Sequence, residues 1–211
     1  MNELQFGVVG ARAERYAAVP TITLGLRVTD PTGGSIDAVA LRCQINIEPQ
    51  RRRYTSEEQE RLVELFGHAP RWGDTLKPFL WTHVTTTVPR FTGSVDVELP
   101  VVCTYDMEVA AAKYLHGLDD GDIPLALMFS GTVFTAGESG LIATPVPWHA
   151  DTAWRLPVAT WREVMNMYFP GGGWLRLPRE TIDALQRFKA ARALPTWEQA
   201  IETLLKEVDE Q

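Results

Sequence analysis

Residues 21–48 constrain the fold more than any other part of the sequence. Apolar and polar residues alternate in two runs of this segment, 21–29 and 38–48, and turn-forming residues at 30–34 separate the runs. Alternation with a period of two places one face of a strand in the interior and the other in solvent, as in antiparallel sheets. The sequence therefore predicts two strands joined by a turn, a hairpin to which the rest of the domain adds.

Further patterns extend this sheet and then change to helical spacing. The alternating run at 95–99 predicts a further strand, and residues 125–146 predict a long hairpin with its turn at 136–140. Thr55 with Glu58 and Ser56 with Gln59 both have the spacing of a capping box at the start of a helix. The last quarter contains three amphipathic helical segments, with a glycine joint at 171–173. We predict a mainly β, α+β fold: an antiparallel β-sandwich or curved sheet of six to eight strands, with an inserted helix and C-terminal helices.

The expected domain organisation follows from the same patterns. Residues 1–158 are predicted to form the antiparallel β-domain, with the inserted helical segment at about 55–80. Residues 159–211 are predicted to form C-terminal helices that pack on the same core. A chain of 211 residues is long enough for one sizeable core.

Charge and hydropathy narrow the classes of function. The net charge of −7 argues against general nucleic-acid binding, which needs a basic surface. No apolar run approaches the roughly 20 residues that span a bilayer. The first ten residues lack the basic and apolar regions of a secretory signal. These features predict a cytoplasmic protein without a membrane span.

The two cysteines, Cys43 and Cys103, each fall on the apolar side of a predicted strand. We interpret them as small buried hydrophobic residues, since free cysteine is among the most buried residue types. The alternative is a metal or redox pair, but no C-x-x-C spacing supports it. The sequence therefore gives no metal ligand set and no cofactor.

Two stretches carry residues that are typical of protein interfaces, in which exposed arginine and tryptophan side chains often dominate binding. The first has three consecutive arginines beside Tyr54, and the second is an irregular segment at 68–93. The candidate partner-binding residues are Arg51, Arg52, Arg53, Trp72, Trp81 and His83. The alternative is structural: the arginines would lie in a solvated loop, and the tryptophans would cover a sheet edge.

An enzyme is a further hypothesis. It requires His83, His68, Asp74 and Asp106 to converge in one pocket with shifted pKa values. We name no catalytic residues, because a catalytic histidine needs a nucleophile or an orienting acid within hydrogen-bond distance.

Four stretches are distinctive, at 41–54, 71–84, 129–134 and 174–177. Together they resemble an actinobacterial family of unknown function whose genes lie near those of actinobacterial-type nickel–iron (NiFe) hydrogenases. The resemblance implies a non-catalytic accessory, assembly or protein-binding factor, with hydrogenase subunits or maturation factors as partners. It supplies no catalytic residues.

A weaker likeness concerns the fold alone. An antiparallel sheet backed by C-terminal helices resembles the SecB-type export chaperones. It implies an oligomeric holdase with an exposed apolar groove, and it rests on no shared motif. The sequence leaves the oligomeric state open.

Overall fold

The computed structural model of the protein describes residues 4–104, 106, 109–138, 140–171 and 177–209. The strands formed by these residues are β1 (Gln5–Ala13), β2 (Thr21–Thr29), β3 (Ser35–Ile36), β4 (Ala38–Ile47), β5 (Phe79–Val88), β6 (Phe91–Thr92), β7 (Ser94–Val102), β8 (Asp122–Gly137), β9 (Gly140–Pro145) and β10 (Asp151–Pro157). The helices are α1 (Ser56–Arg61), α2 (Val63–Phe66), α3 (Trp72–Thr75), α4 (Ala110–His116), α5 (Val158–Tyr168), α6 (Arg179–Ala191) and α7 (Trp197–Asp209). The predicted mainly β, α+β class is confirmed.

The two strands that the alternation predicts, β2 and β4, lie in different sheets. The three-stranded sheet has the order β1-β2-β7, and the five-stranded sheet has the order β10-β8-β4-β5, with β9 also paired to β8. The predicted hairpin at 21–48 is therefore wrong, although both strands exist. The connection between them contains β3, which pairs with β6 instead of extending either strand. Alternation fixes which face of a strand is buried, but it does not fix the neighbouring strand.

The apolar faces of both strands belong to one hydrophobic core. Along β2 this core contains Ile22, Leu24, Leu26 and Val28, all without solvent exposure. Along β4 it contains Val39, Leu41, Cys43, Ile45 and Ile47. Both cysteines are free and buried, as the sequence predicts, but Cys103 lies directly after the end of β7 and not within a strand.

The helical insert lies between β4 and β5 and begins with Thr55 and Glu58, one of the two capping boxes that the sequence allows. The hydroxyl of Thr55 accepts a hydrogen bond from the Glu58 N–H at 3.2 Å, and the Glu58 carboxylate accepts one from the Thr55 N–H at 3.1 Å. Leu62 and Phe66 are buried against the core. The insert is thereby fixed to the sheet edge where β4 ends.

The chain divides into two compact units, residues 1–173 and 174–211. Within the first, α5 contributes Trp161 and Val164 to the core. The division falls directly after the predicted joint at 171–173. Only Gly171 of this joint is among the described residues. Of the distinctive stretch at 174–177, only the last residue is described. The sequence predicts helices at 159–211 on the same core, and for the part beyond residue 173 this packing stays a prediction.

The second unit contains α6 and α7. The Thr196 hydroxyl accepts a hydrogen bond from the Gln199 N–H at 3.2 Å and so caps α7. Arg192 forms an ion pair with Glu207, and the Lys189 ammonium lies 5.5 Å from the centre of the Trp197 ring. Among the described residues of both units, no helix is long and apolar enough to cross a membrane.

Candidate functional site: an arginine-lined pocket

A concave pocket of about 520 Å³ lies at the sheet edge where β4 ends, β8 begins and β10 ends. Its position follows from strand pairing, because Glu48 donates its N–H to the Pro124 carbonyl and Pro124 pairs with Arg155. The residues that line it are Gln50, Arg51, Arg52, Arg53, Gly121, Asp122 and Arg155. We call this the arginine pocket. It contains all three consecutive arginines that the sequence proposes for partner binding.

A short 3₁₀ helix, Pro49–Arg51, directs the three arginines to different environments. The Arg51 N–H donates to the Glu48 carbonyl at 3.0 Å, and the Tyr54 hydroxyl donates to the Pro49 carbonyl at 2.7 Å. Proline suits the first turn of such a helix, because it has no N–H to leave unpaired there. The turn is therefore fixed by one hydrogen bond of its own backbone and one from the Tyr54 side chain.

Arg52 lies largely inside the protein. Its Nη2 is 2.7 Å from Oε1 of Glu58, and the two side chains are only 8% and 2% exposed. It also donates to the carbonyl oxygens of Asp120 at 3.1 Å and Asp122 at 3.4 Å, and its guanidinium lies 4.9 Å from the Tyr54 ring centre. A buried ion pair needs such additional hydrogen bonds to offset its desolvation. Arg52 thus anchors the pocket and exposes little of its own charge.

The other arginines of the pocket are exposed. Arg51 forms an ion pair with Glu48 at 3.1 Å, and Arg155 donates to the Arg51 carbonyl at 3.1 Å. Arg53 makes no ion pair with any residue in the described ranges. Four guanidinium groups therefore line the pocket together with the carboxylate of Asp122, and the carboxylates of Glu48, Glu58 and Asp120 lie beside them. The pocket thus concentrates arginine side chains on a protein with a net charge of −7.

Trp72 supports the arginine turn from the interior. It is half-buried, its indole N–H donates to the Gly67 carbonyl at 2.7 Å, and its ring contacts Tyr54 edge-on with 5.1 Å between centroids. The Tyr54 hydroxyl is also 2.9 Å from that of Tyr114. Burial raises the pKa of Tyr54, and it raises the pKa of Tyr114 to about 12. Both phenols therefore stay neutral near pH 7, and their rings pack behind the arginine turn.

Trp81 and His83 lie on β5 and not in the arginine pocket. Trp81 is half-buried and packs against the core, whereas His83 is exposed, with Nε2 3.2 Å from Oε1 of Gln44. Within the described part of the chain, no hydrogen bond or ring contact joins either residue to the pocket. Of the six candidate residues, three arginines therefore line the arginine pocket, Trp72 packs behind it, and the other two lie elsewhere on β5. Their role in partner binding stays a prediction.

The four residues of the enzyme hypothesis occupy four different segments. His68 precedes a 3₁₀ helix, Asp74 lies in α3, His83 lies on β5, and Asp106 lies in the connection between β7 and α4. No group of three or more His, Cys, Asp or Glu side chains in the described ranges is placed to hold a metal ion.

Arg155 is the residue that sequence reasoning missed. Thr152 and Leu156 are on the inward face of β10, so the alternation already indicates that Arg155 points outward. Its place beside Arg51 depends on the register between β10 and β8, in which Arg155 pairs with Pro124. No local signal in the sequence gives that register.

A family model matches the whole chain, residues 1–211. The protein belongs to DUF6084, a family of unknown function. None of the curated proteins matches this DUF6084 chain in sequence.

Several solved structures are similar to parts of the DUF6084 chain. A protein named as late embryogenesis abundant is 16% identical, covers 73% of this chain and 71% of its own, and has a TM-score of 0.32. A β-glucosidase from Kluyveromyces marxianus is 6% identical over 73% of this chain and 15% of its own, with a TM-score of 0.28. An ApaA protein from Bordetella pertussis is 14% identical over 74% of this chain and 95% of its own, with a TM-score of 0.26. Likeness at this level gives no information on function.

Proposed function

We propose that this DUF6084 protein is a non-catalytic accessory factor that binds another protein through the arginine pocket. The observation that supports this function is the concave surface formed by Arg51, Arg53 and Arg155 on an otherwise acidic protein. Guanidinium groups form paired, charge-assisted hydrogen bonds with carboxylates, and arginine is enriched among residues that dominate interface energies. The partner that fits this surface presents an acidic loop or terminus.

The partner we propose is a hydrogenase subunit or maturation factor in the cytoplasm. Support for this choice comes from the resemblance of the sequence to an actinobacterial family encoded near NiFe hydrogenase genes. One of the stretches that carry the resemblance, 41–54, contains the whole arginine turn. The resemblance and the pocket thus direct attention to the same surface.

The test is affinity purification of the tagged protein from its own host, with quantitative mass spectrometry of the captured proteins. Arg53→Glu reverses the charge of an exposed arginine that has no ion pair in the described ranges, so we expect partner recovery to fall at least about tenfold. The matched control is Arg42→Glu, which makes the same charge change on the outer face of β4 and should leave recovery unchanged.

Three outcomes distinguish the hypotheses. Recovery of hydrogenase subunits or maturation factors that is lost only with Arg53→Glu supports the proposal. Equal recovery with both variants contradicts the role of the arginine pocket. Capture of many unrelated unfolded chains by both variants would support the SecB-like holdase instead.

A further inference from the structure

A second pocket, of about 320 Å³, lies between α4 and α5 and shares no lining residue with the arginine pocket. Its side chains combine an apolar wall with several polar groups. They are His116, Trp161, Arg162, Met165, Asn166 and Phe169. Small-molecule sites have this composition, and the volume is near the lower end of their usual range of about 300–1,000 Å³.

The wall of this pocket contains an unpaired hydrogen-bond donor. Trp161 is only 3% exposed, and its indole N–H has no acceptor among the described residues. The His116 ring lies edge-on to Trp161, with 5.3 Å between ring centroids. Nearly all buried polar groups in folded proteins have a hydrogen-bond partner, so a buried donor without one indicates a function or a missing acceptor. The indole nitrogen has almost no accessible surface in this conformation, so a ligand oxygen would have to displace part of the pocket wall to supply that acceptor.

The charge at the pocket favours an anion. Arg162 donates through Nη2 to the Leu118 carbonyl at 2.7 Å and to Oδ1 of Asp119 at 3.0 Å. Arg61 also donates to Oδ1 of Asp119, at 2.8 Å, so two guanidinium groups share one carboxylate. Both of these bonds use Nη2, so the N–H groups of Nη1 and Nε can each donate to a further acceptor.

Other ionisable side chains in and around the pocket also determine its charge. Burial and the nearby Arg162 both lower the pKa of His116, so its imidazole adds no positive charge to the pocket near pH 7. Arg162 and Asn166 also line a wider, open concavity that includes Arg15 and Glu163. The approach therefore has one guanidinium and one carboxylate besides Arg162, and the attraction for an anion depends on Arg162 itself.

We propose that this pocket binds a small organic acid with an apolar or aromatic body. The carboxylate would face Arg162 and the Trp161 indole N–H, and the body would pack on Met165 and Phe169. This function is independent of the proposed protein partner, because the two pockets have no residue in common.

The test compares phenylacetate, which carries a carboxylate, with phenylacetamide, its uncharged analogue of nearly the same shape. Each is titrated into the ¹⁵N-labelled full chain while the indole N–H resonances of the seven tryptophans are followed by NMR. The spectrum of Trp161→Phe identifies the resonance of Trp161. We expect a saturable shift of that resonance with a Kd of about 1 mM or tighter for phenylacetate, and binding at least about tenfold weaker for phenylacetamide.

A pair of variants then tests the geometry. Arg162→Gln should weaken phenylacetate at least about tenfold. The matched control is Arg61→Gln, which removes the other guanidinium on Asp119 but does not line the pocket, and it should leave the Kd within about twofold. If Arg162→Gln does not fold, the comparison of acid and amide on the unmodified protein still decides the question.

Two results would overturn the proposal. One is the absence of a saturable shift at about 10 mM phenylacetate, far above the expected Kd. The other is equal affinity for the acid and the amide, which would show that the charge plays no part.

Discussion

Oε1 of Glu58 lies 2.7 Å from Nη2 of Arg52 in the interior of the protein, where the two side chains are almost fully buried. The same carboxylate closes the capping box with Thr55 and accepts the N–H of Asp119 at 2.9 Å. One acidic side chain therefore connects the arginine turn, the first helix of the insert and the turn that leads into β8. Removal of its charge should loosen all three.

We expect Glu58→Gln to lower the free energy of unfolding by about 3–5 kcal/mol, because it leaves the buried guanidinium of Arg52 without a counter-charge. Urea denaturation monitored by tryptophan fluorescence measures the loss. The control is Asp96→Asn, which breaks the exposed Arg27–Asp96 pair and should cost far less, since solvent screens that pair. Equal losses for the two variants would contradict the role of burial.

Gly131 is the position where β8 tolerates only glycine. Its φ is +146°, and a Cβ placed there would lie 2.0 Å from the carbonyl oxygen of Ala40 on the neighbouring strand β4. Gly131→Ala should therefore lower the free energy of unfolding by at least about 2 kcal/mol. Gly7→Ala on β1 is the control, because a Cβ at Gly7 meets no atom within 4 Å. If Gly131→Ala is nearly as stable as the unmodified protein, β4 and β8 can move apart here at little cost in free energy, which contradicts the prediction.

The sequence predicts the local features of this fold well. The period-two alternation places β2 and β4, and the two possible capping boxes at Thr55 and Ser56 place the start of α1 to within one residue. Sheet membership is different, because both strands alternate in the same way although one pairs with β1 and β7 and the other with β5 and β8. Strand pairing depends on segments far away in the chain, and the alternation of apolar and polar residues along one strand carries no information about those segments.

The candidate site shows the same limit. Three adjacent arginines indicate a basic surface, but the sequence does not show that Arg52 is internal. Its acceptors include the carbonyl oxygens of Asp120 and Asp122, which are 68 and 70 residues further along the chain. Arg155 enters the pocket through a strand register that no local motif specifies. The local sequence thus shows that the turn is rich in arginine, whereas pairing between distant segments decides which arginine side chains are exposed to a partner.

The two thiols should be unreactive in the folded protein. Burial raises the pKa of both Cys43 and Cys103 to about 12, and the thiolate is the reactive species. We expect Ellman's reagent at pH 8 to label neither residue rapidly in the native state and to label both in denaturant. Thr85→Cys, at an exposed position of β5, provides a reference thiol that should react at once. Fast labelling of two thiols in the native protein without Thr85→Cys would contradict their burial.

The paired phenols of Tyr54 and Tyr114 predict a loss of stability at alkaline pH. Burial raises the pKa of both above the unfolded value of about 10, so the folded state resists their ionisation. Their contribution is therefore complete below about pH 10 and is lost as the pH rises from there towards the folded values. The buried thiols act in the same direction from about pH 8.5.

Urea denaturation between pH 8 and pH 12 measures this decline. Tyr54→Phe should be less stable at pH 8 by about 0.5–1.5 kcal/mol, since it loses the hydrogen bonds to the Pro49 carbonyl and to Tyr114. Above pH 10 its stability should fall less steeply than that of the unmodified protein, because one fewer buried phenol ionises on unfolding. Tyr16→Phe, at a side chain that is 93% exposed, should keep the original slope. An identical slope for Tyr54→Phe would show that the phenol pair does not control alkaline unfolding.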